Sequence, residues 1–135
     1  MSTGQSFACS ILFIDDDLSL LNLYQKILKG EGHEVATVST REAALDWLKT
    51  HPAPDIVFLD GRMGGPSNDE FRRKIDTHFA GRPSPRLVGF SSFSKKSPFA
   101  EEMRALFGEF IEKPSDLKEF IDVVKEICRQ VKCPS

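Results

Sequence analysis

ILFIDDDLSLL, residues 11–21, is a short apolar run of strand-forming residues that stops at three consecutive aspartates. Four apolar residues in a row are too few for a helix, and Ile and Phe favour a buried strand. Asp15, Asp16 and Asp17 then stand at the carboxyl end of that strand, where like charges repel. Two carboxylates about 5 Å apart cost on the order of 3 kcal/mol at an effective dielectric of about 20, so a cation or solvent must offset the arrangement. Asp17 suits the N-cap of a following helix. Asp15 and Asp16 are left as candidate cation ligands.

Outward from this stretch the chain alternates. Leu20, Leu23, Tyr24, Ile27 and Leu28 recur at helical spacing, and Gly30 is placed to end the helix. HEVATV (33–38) alternates with period two, and Ser39 followed by Glu42 has the form of a capping box for a second helix. Pro52 and Pro54 interrupt the chain before DIVFLD (55–60), an apolar run that again ends in aspartate. A stretch of Gly, Pro, Ser and Asn leads into a third helix, EFRRKIDTHF, and RLVGFSS (86–92) is a fourth strand. Ser97 and Pro98 fit the N-cap and first position of a fourth helix. EFIEKP (109–114) is a fifth strand. Leu117, Phe120, Ile121, Val124 and Cys128 trace the apolar face of a last helix opened by Ser115 or Asp116. Five strands alternating with five helices imply a doubly wound parallel sheet covered on both faces.

Composition narrows the function classes. With 135 residues, 40% of them hydrophobic, the chain suits one well-buried core and is short for two. A net charge of −2 offers no basic footprint for nucleic acid, so a protein or small anionic ligand is the expected partner. The first ten residues, MSTGQSFACS, lack the features of a secretion signal and no stretch is apolar enough to span a bilayer, so a cytoplasmic protein without membrane insertion is expected. Cys9, Cys128 and Cys133 have no zinc-site spacing, and Cys128 reads as a small core residue. His33, His51 and His78 are scattered and read as surface residues.

In open α/β sheets ligands sit beyond the carboxyl ends of the strands. Asp15 and Asp16 follow the first strand, Asp60 the third, Ser91 the fourth and Lys113 the fifth. A single aspartate at a strand end is usually a cap and a single lysine before proline is usually solvated. Five such groups on one sheet edge are better explained as a site.

Through ILFIDDD, IVFLDGRM, RLVGFSS and FIEKP, the chain resembles the receiver domain of bacterial two-component response regulators over residues 10–130, flanked by a leader (1–9) and a tail (131–135). The resemblance implies a flavodoxin-like (βα)5 fold with strand order 2-1-3-4-5. It implies a phosphoryl group accepted on Asp60 from a sensor histidine kinase or a histidine phosphotransfer protein. Mg2+ would be held by Asp16, Asp60 and the backbone carbonyl of Arg62, with Asp15 acting largely through water. Lys113 and Ser91 would contact phosphoryl oxygens. Ser91 and Phe110 would then switch the surface of the fourth helix, fifth strand and fifth helix, where a downstream protein would bind. A stand-alone receiver of this kind, monomeric or weakly dimeric, catalyses only its own phosphorylation and slow dephosphorylation.

The chain also departs from the family pattern. Gly64 stands where proline is usual and Asn68 where glycine is usual, so a different path is expected for the loop after Asp60. Arg62 and Phe93 are bulky neighbours expected to shield an acyl phosphate from water. The alternatives are a pseudo-receiver that binds partners without phosphorylation, a phosphohydrolase and a flavin module. The phosphohydrolase lacks a general acid two residues after Asp60, and the flavin module lacks a phosphate loop after the first strand.

Overall fold

The computed structural model describes residues 8–60, 63 and 66–132. Most of the expected leader and tail, Cys133, and the loop positions Arg62 and Gly64 lie outside the described residues. The elements run β1 (Ser10–Ile14), α1 (Leu18–Gly30), β2 (Glu34–Val38), α2 (Arg41–Thr50), β3 (Ile56–Leu59), α3 (Asn68–His78), β4 (Arg86–Ser91), α4 (Pro98–Phe107), β5 (Phe110–Glu112) and α5 (Leu117–Lys132). The strands form one parallel sheet of order β2-β1-β3-β4-β5, as expected.

Period-two alternation sends each strand's side chains to opposite faces of the sheet. Ile11, Phe13, Ile56, Phe58 and Phe90 meet α1 and α5 on one face, where Phe13 stacks on Phe58 at 4.7 Å and Tyr24 on Phe120 at 4.3 Å. Leu12, Ile14, Val57, Leu59 and Leu87 meet α2, α3 and α4 on the other. The middle strand β3 is therefore apolar throughout, and β1 and β4 nearly so, because neither face of the sheet centre is left to water, while the edge strands β2 and β5 keep exposed Glu34 and Glu112. A fully buried Phe or Ile contributes about 1.5–3 kcal/mol, so α3 is held down chiefly by Phe71 and Ile75, both fully buried.

Several helix ends follow local chemistry. Asp17 caps α1 by accepting the Leu20 N–H at 3.1 Å. Ser97 caps α4 through Ala100, with Pro98 at the first turn. Asp116, rather than Ser115, opens α5 by accepting from Glu119. Others correct the sequence reading. The cap of α2 is Thr40, bonded to Ala43, so Ser39 and Glu42 form no capping box. Gly30 stays helical, and the left-handed residue after α1 is Gly32 at φ 96°. The buried face of α1 is Leu21, Tyr24 and Leu28, while Leu23 is 40% exposed. Leu117 is exposed as well, and Ile127 takes its place on the buried face of α5. His33 is buried, and His78 is half-buried with a ring nitrogen 3.1 Å from the Leu48 carbonyl, so only His51 is an exposed histidine. No helix among the described residues is long and apolar enough to cross a membrane.

Candidate functional site

The parallel sheet places the carboxyl ends of β1, β3, β4 and β5 on one edge, and the backbone ties their last residues together. The Asp60 N–H donates to Ile14 O at 3.0 Å, and the Lys113 N–H donates to Ser91 O at 2.7 Å. Asp15, Asp16 and Asp60 thereby converge, with a carboxylate oxygen of each within 4.8 Å of the others. Asp15 is buried, Asp60 half-buried and Asp16 exposed. The Asp15 Oδ1 accepts the Asp17 N–H at 3.0 Å, and its Oδ2 meets Lys113 Nζ at 2.7 Å. The same ammonium lies 3.9 Å from Asp60 Oδ2, so one cation serves two carboxylates. Its charge offsets part of the repulsion inherent in the aspartate run.

The field of this cluster reaches the core beneath it. Burial, followed by the charges of Asp15 and Asp17, pushes the Tyr24 phenol up to about 12. Oxygen donors alone, carrying negative charge and still open on the Asp16 side, suit a hard divalent cation such as Mg2+.

Ser91 is buried at the end of β4, and its hydroxyl accepts the Phe93 N–H at 3.4 Å, a long bond within its own turn. Phe110 is also buried. Its ring lies edge-on to Phe99 at 6.3 Å, and Phe99 packs on Phe93 at 4.8 Å. Gly89, paired with Phe110 across the sheet, makes room for that ring. A Cβ at Gly89 would stand 3.2 Å from Phe110 Cδ1 and 2.9 Å from Met103 Cε.

One residue of this region was not singled out from the sequence. Arg41, the first residue of α2, is 2% exposed and reaches the segment after Asp60. Its guanidinium donates to Met63 O at 3.2 Å, to Pro66 O, and to Asn68 Oδ1 at 2.6 Å. The one available signal was Asn68 itself, a side chain where the family pattern carries glycine. The Arg62 carbonyl, expected as a metal ligand, lies outside the described residues.

A cleft of about 850 Å3 between α2 and α3 is lined by Leu45, Leu48 and charges of both signs, away from the carboxylates.

Comparison with known proteins agrees with this architecture. A family model described as the response regulator receiver domain matches residues 11–125. The heme response regulator HssR of Staphylococcus saprophyticus is 29% identical over 88% of this chain and 51% of its own length. NtrX of Brucella abortus superposes with a TM-score of 0.74 at 28% identity, covering 93% of this chain and 28% of NtrX. The response regulator TrrA of Thermotoga maritima, solved in complex with Mg2+ and BeF, gives a TM-score of 0.68 at 24% identity over 87% of this chain and 97% of TrrA. The chain thus spans about half of HssR and about a quarter of NtrX. With the sheet order and the family model in agreement, the chain belongs to the response regulator receiver domain family of two-component signalling.

Proposed function

We propose that Asp60 accepts a phosphoryl group from a phosphohistidine on a sensor histidine kinase or a histidine phosphotransfer protein. The observation that carries this reading is the convergence of Asp15, Asp16, Asp60 and Lys113 on one sheet edge. An Asp60 carboxylate oxygen attacks phosphorus, the bond from phosphorus to the imidazole nitrogen breaks, and that nitrogen keeps the electron pair. The product is an acyl phosphate. The transition state is loose, so positioning and charge neutralisation supply most of the catalysis. Asp16, Asp60 and the Arg62 carbonyl would hold Mg2+, which would supply positive charge to the phosphoryl oxygens. Both Asp15 oxygens already have partners, which suits a role through water.

Lys113 stands within reach of both Asp15 and Asp60, and turns to a phosphoryl oxygen as charge builds beside it. Ser91 gives up its long bond to Phe93 and donates its hydroxyl to another oxygen. Movement there reaches α4 and β5 through Phe93, Phe99 and Phe110. The α4-β5-α5 surface is then the face read by a downstream protein or used for weak self-association, or the phosphoryl group passes onward to another histidine. On this reading the domain works in the cytoplasm as a signalling unit that catalyses its own phosphorylation and slow dephosphorylation rather than the turnover of a separate substrate.

Intact-mass analysis after incubation with acetyl phosphate tests the reading. A gain of one phosphoryl group that requires Mg2+ and vanishes in Asp60→Asn supports it. No gain with two different donors, the fold being verified, favours a pseudo-receiver that acts through unmodified contacts.

A further inference from the structure

Arg41 occupies a place where a cation is costly. It opens α2, where the positive end of the helix dipole disfavours positive charge, and it is 2% exposed. Burying a guanidinium requires partners for its donors. The groups it reaches, Met63 O, Pro66 O and Asn68 Oδ1, are all uncharged, and its Nε is buried without a hydrogen-bond partner among the described residues. Burial holds its pKa below the ordinary guanidinium range, and the charge of Asp60 opposes that drop. Nothing here improves α2 itself. All three acceptors belong to the segment between Asp60 and the first turn of α3.

The anchorage of that segment explains the arrangement. Its start is tied by the Asp60 N–H to Ile14 O, and its end by Ser67, which caps α3 through the Glu70 N–H at 3.1 Å. Arg41 supplies the tie in the middle. Asn68, one of the departures from the family pattern, supplies an acceptor that glycine could not.

We infer that Arg41 is a positioning residue for the phosphoacceptor: by fastening Met63, Pro66 and Asn68 to α2 it holds these residues in place beside Asp60, and with them the metal and phosphoryl geometry. The inference rests on the phosphoacceptor reading above. A forked guanidinium can hold several acceptors at once, whereas an ammonium is a point charge, so lysine is a poor replacement.

The test is Arg41→Met, with Arg41→Lys, Asn68→Ala and, as a control for general destabilisation, Leu48→Ala on the buried face of the same helix. Three quantities are read: the Mg2+ dissociation constant from amide shifts without phosphodonor, amide hydrogen exchange at Met63 and Asn68, and the rate of phosphorylation by acetyl phosphate. Arg41→Met is expected to weaken Mg2+ binding by about tenfold or more, a usual effect of losing a group that orients metal ligands. It also speeds exchange at Met63 and Asn68. Arg41→Lys recovers little, Asn68→Ala shows a smaller loss in both, and Leu48→Ala lowers Tm with the dissociation constant unchanged. Unchanged exchange in Arg41→Met overturns the tether, and faster exchange with unaltered Mg2+ binding and rate overturns its role in positioning. A parent protein that takes up neither Mg2+ nor phosphoryl group overturns the phosphoacceptor reading and the positioning role with it, while exchange still shows whether the tether exists.

Discussion

Strand β3 carries an aspartate at each end, and the two have opposite surroundings. Asp55, before the strand, accepts the Ser10 N–H at 2.9 Å and the Ser10 hydroxyl at 3.3 Å, and pairs with Lys132 at 3.1 Å. Burial alone would raise its pKa, but these partners outweigh burial and hold it below the usual range. Asp60, after the strand, faces two further carboxylates and an ammonium it shares with Asp15. The first arrangement is locally neutral and closed. The second leaves negative charge beside solvent, where a cation and an electrophile can reach it. Each sheet edge also carries a buried polar group that would not survive alone. At the closed end His33 Nδ1 accepts the Cys9 N–H at 3.1 Å, with Cys128 Sγ 3.9 Å away, and at the open end buried Asp15 pairs with half-buried Lys113 at 2.7 Å. The difference teaches that a charged residue at a strand end builds the fold when its partners balance it, and invites chemistry when they do not.

The sharpest test exchanges the two aspartates. Asp60→Asn is expected to abolish phosphoryl uptake while leaving Tm equal or higher, because it removes one of three mutually repelling charges. Asp55→Ala is expected to do the reverse, costing about 1–2 kcal/mol in denaturant unfolding with phosphorylation intact. Loss of uptake in Asp55→Ala would break the division between the two ends.

Lys113→Met is next in size. Its side chain is 14% exposed and that of Asp15 5%, so removing the ammonium strands a largely buried carboxylate, at a cost of about 3 kcal/mol. Mg2+ should restore part of that loss in thermal unfolding. Restoration by Ca2+ or Na+ to the same extent would argue against a specific cation socket.

A smaller effect probes the closed end. Burial, with Lys125 acting in the same direction and Glu31 against it, lowers the His33 pKa below its ordinary 6.5. The unfolded chain therefore binds this proton more readily, so stability is complete above about pH 6.5 and is lost as pH falls toward the folded pKa. A Tm that declines by a few degrees on acidification to about pH 5.5 should flatten in His33→Gln. An identical slope in the variant would show that the imidazole is not the sensitive group.

The smallest effect is at Asp16, the exposed member of the cluster. Asp16→Asn should raise Tm slightly without metal and weaken Mg2+ binding. A rise in Tm alone, with metal binding intact, would restrict the socket to Asp15 and Asp60.

Chain order and strand chemistry were legible without coordinates. Apolar runs of four to six residues, each followed by a helical repeat, admit a parallel sheet and little else, and that sheet necessarily brings the residues after β1, β3, β4 and β5 to one edge. Asp15, Asp16, Asp60, Ser91 and Lys113 could be named for that reason. Which of two adjacent residues caps a helix could not, since Ser39 and Thr40 both carry a hydroxyl and the cap goes to the one whose backbone brings it to the Ala43 N–H. Neither could the burial of His33, Phe110 and Arg41. A side chain's environment depends on what distant segments place around it: Cys9 and Cys128 around His33, the missing Cβ of Gly89 beside Phe110, and Met63 with Asn68 around Arg41. Local pattern determined the elements and the edge on which chemistry gathers, because propensity and periodicity act over a few residues. Tertiary structure alone decided which charges are balanced, because that depends on contacts between residues far apart in the chain, up to the 98 positions separating Asp15 from Lys113.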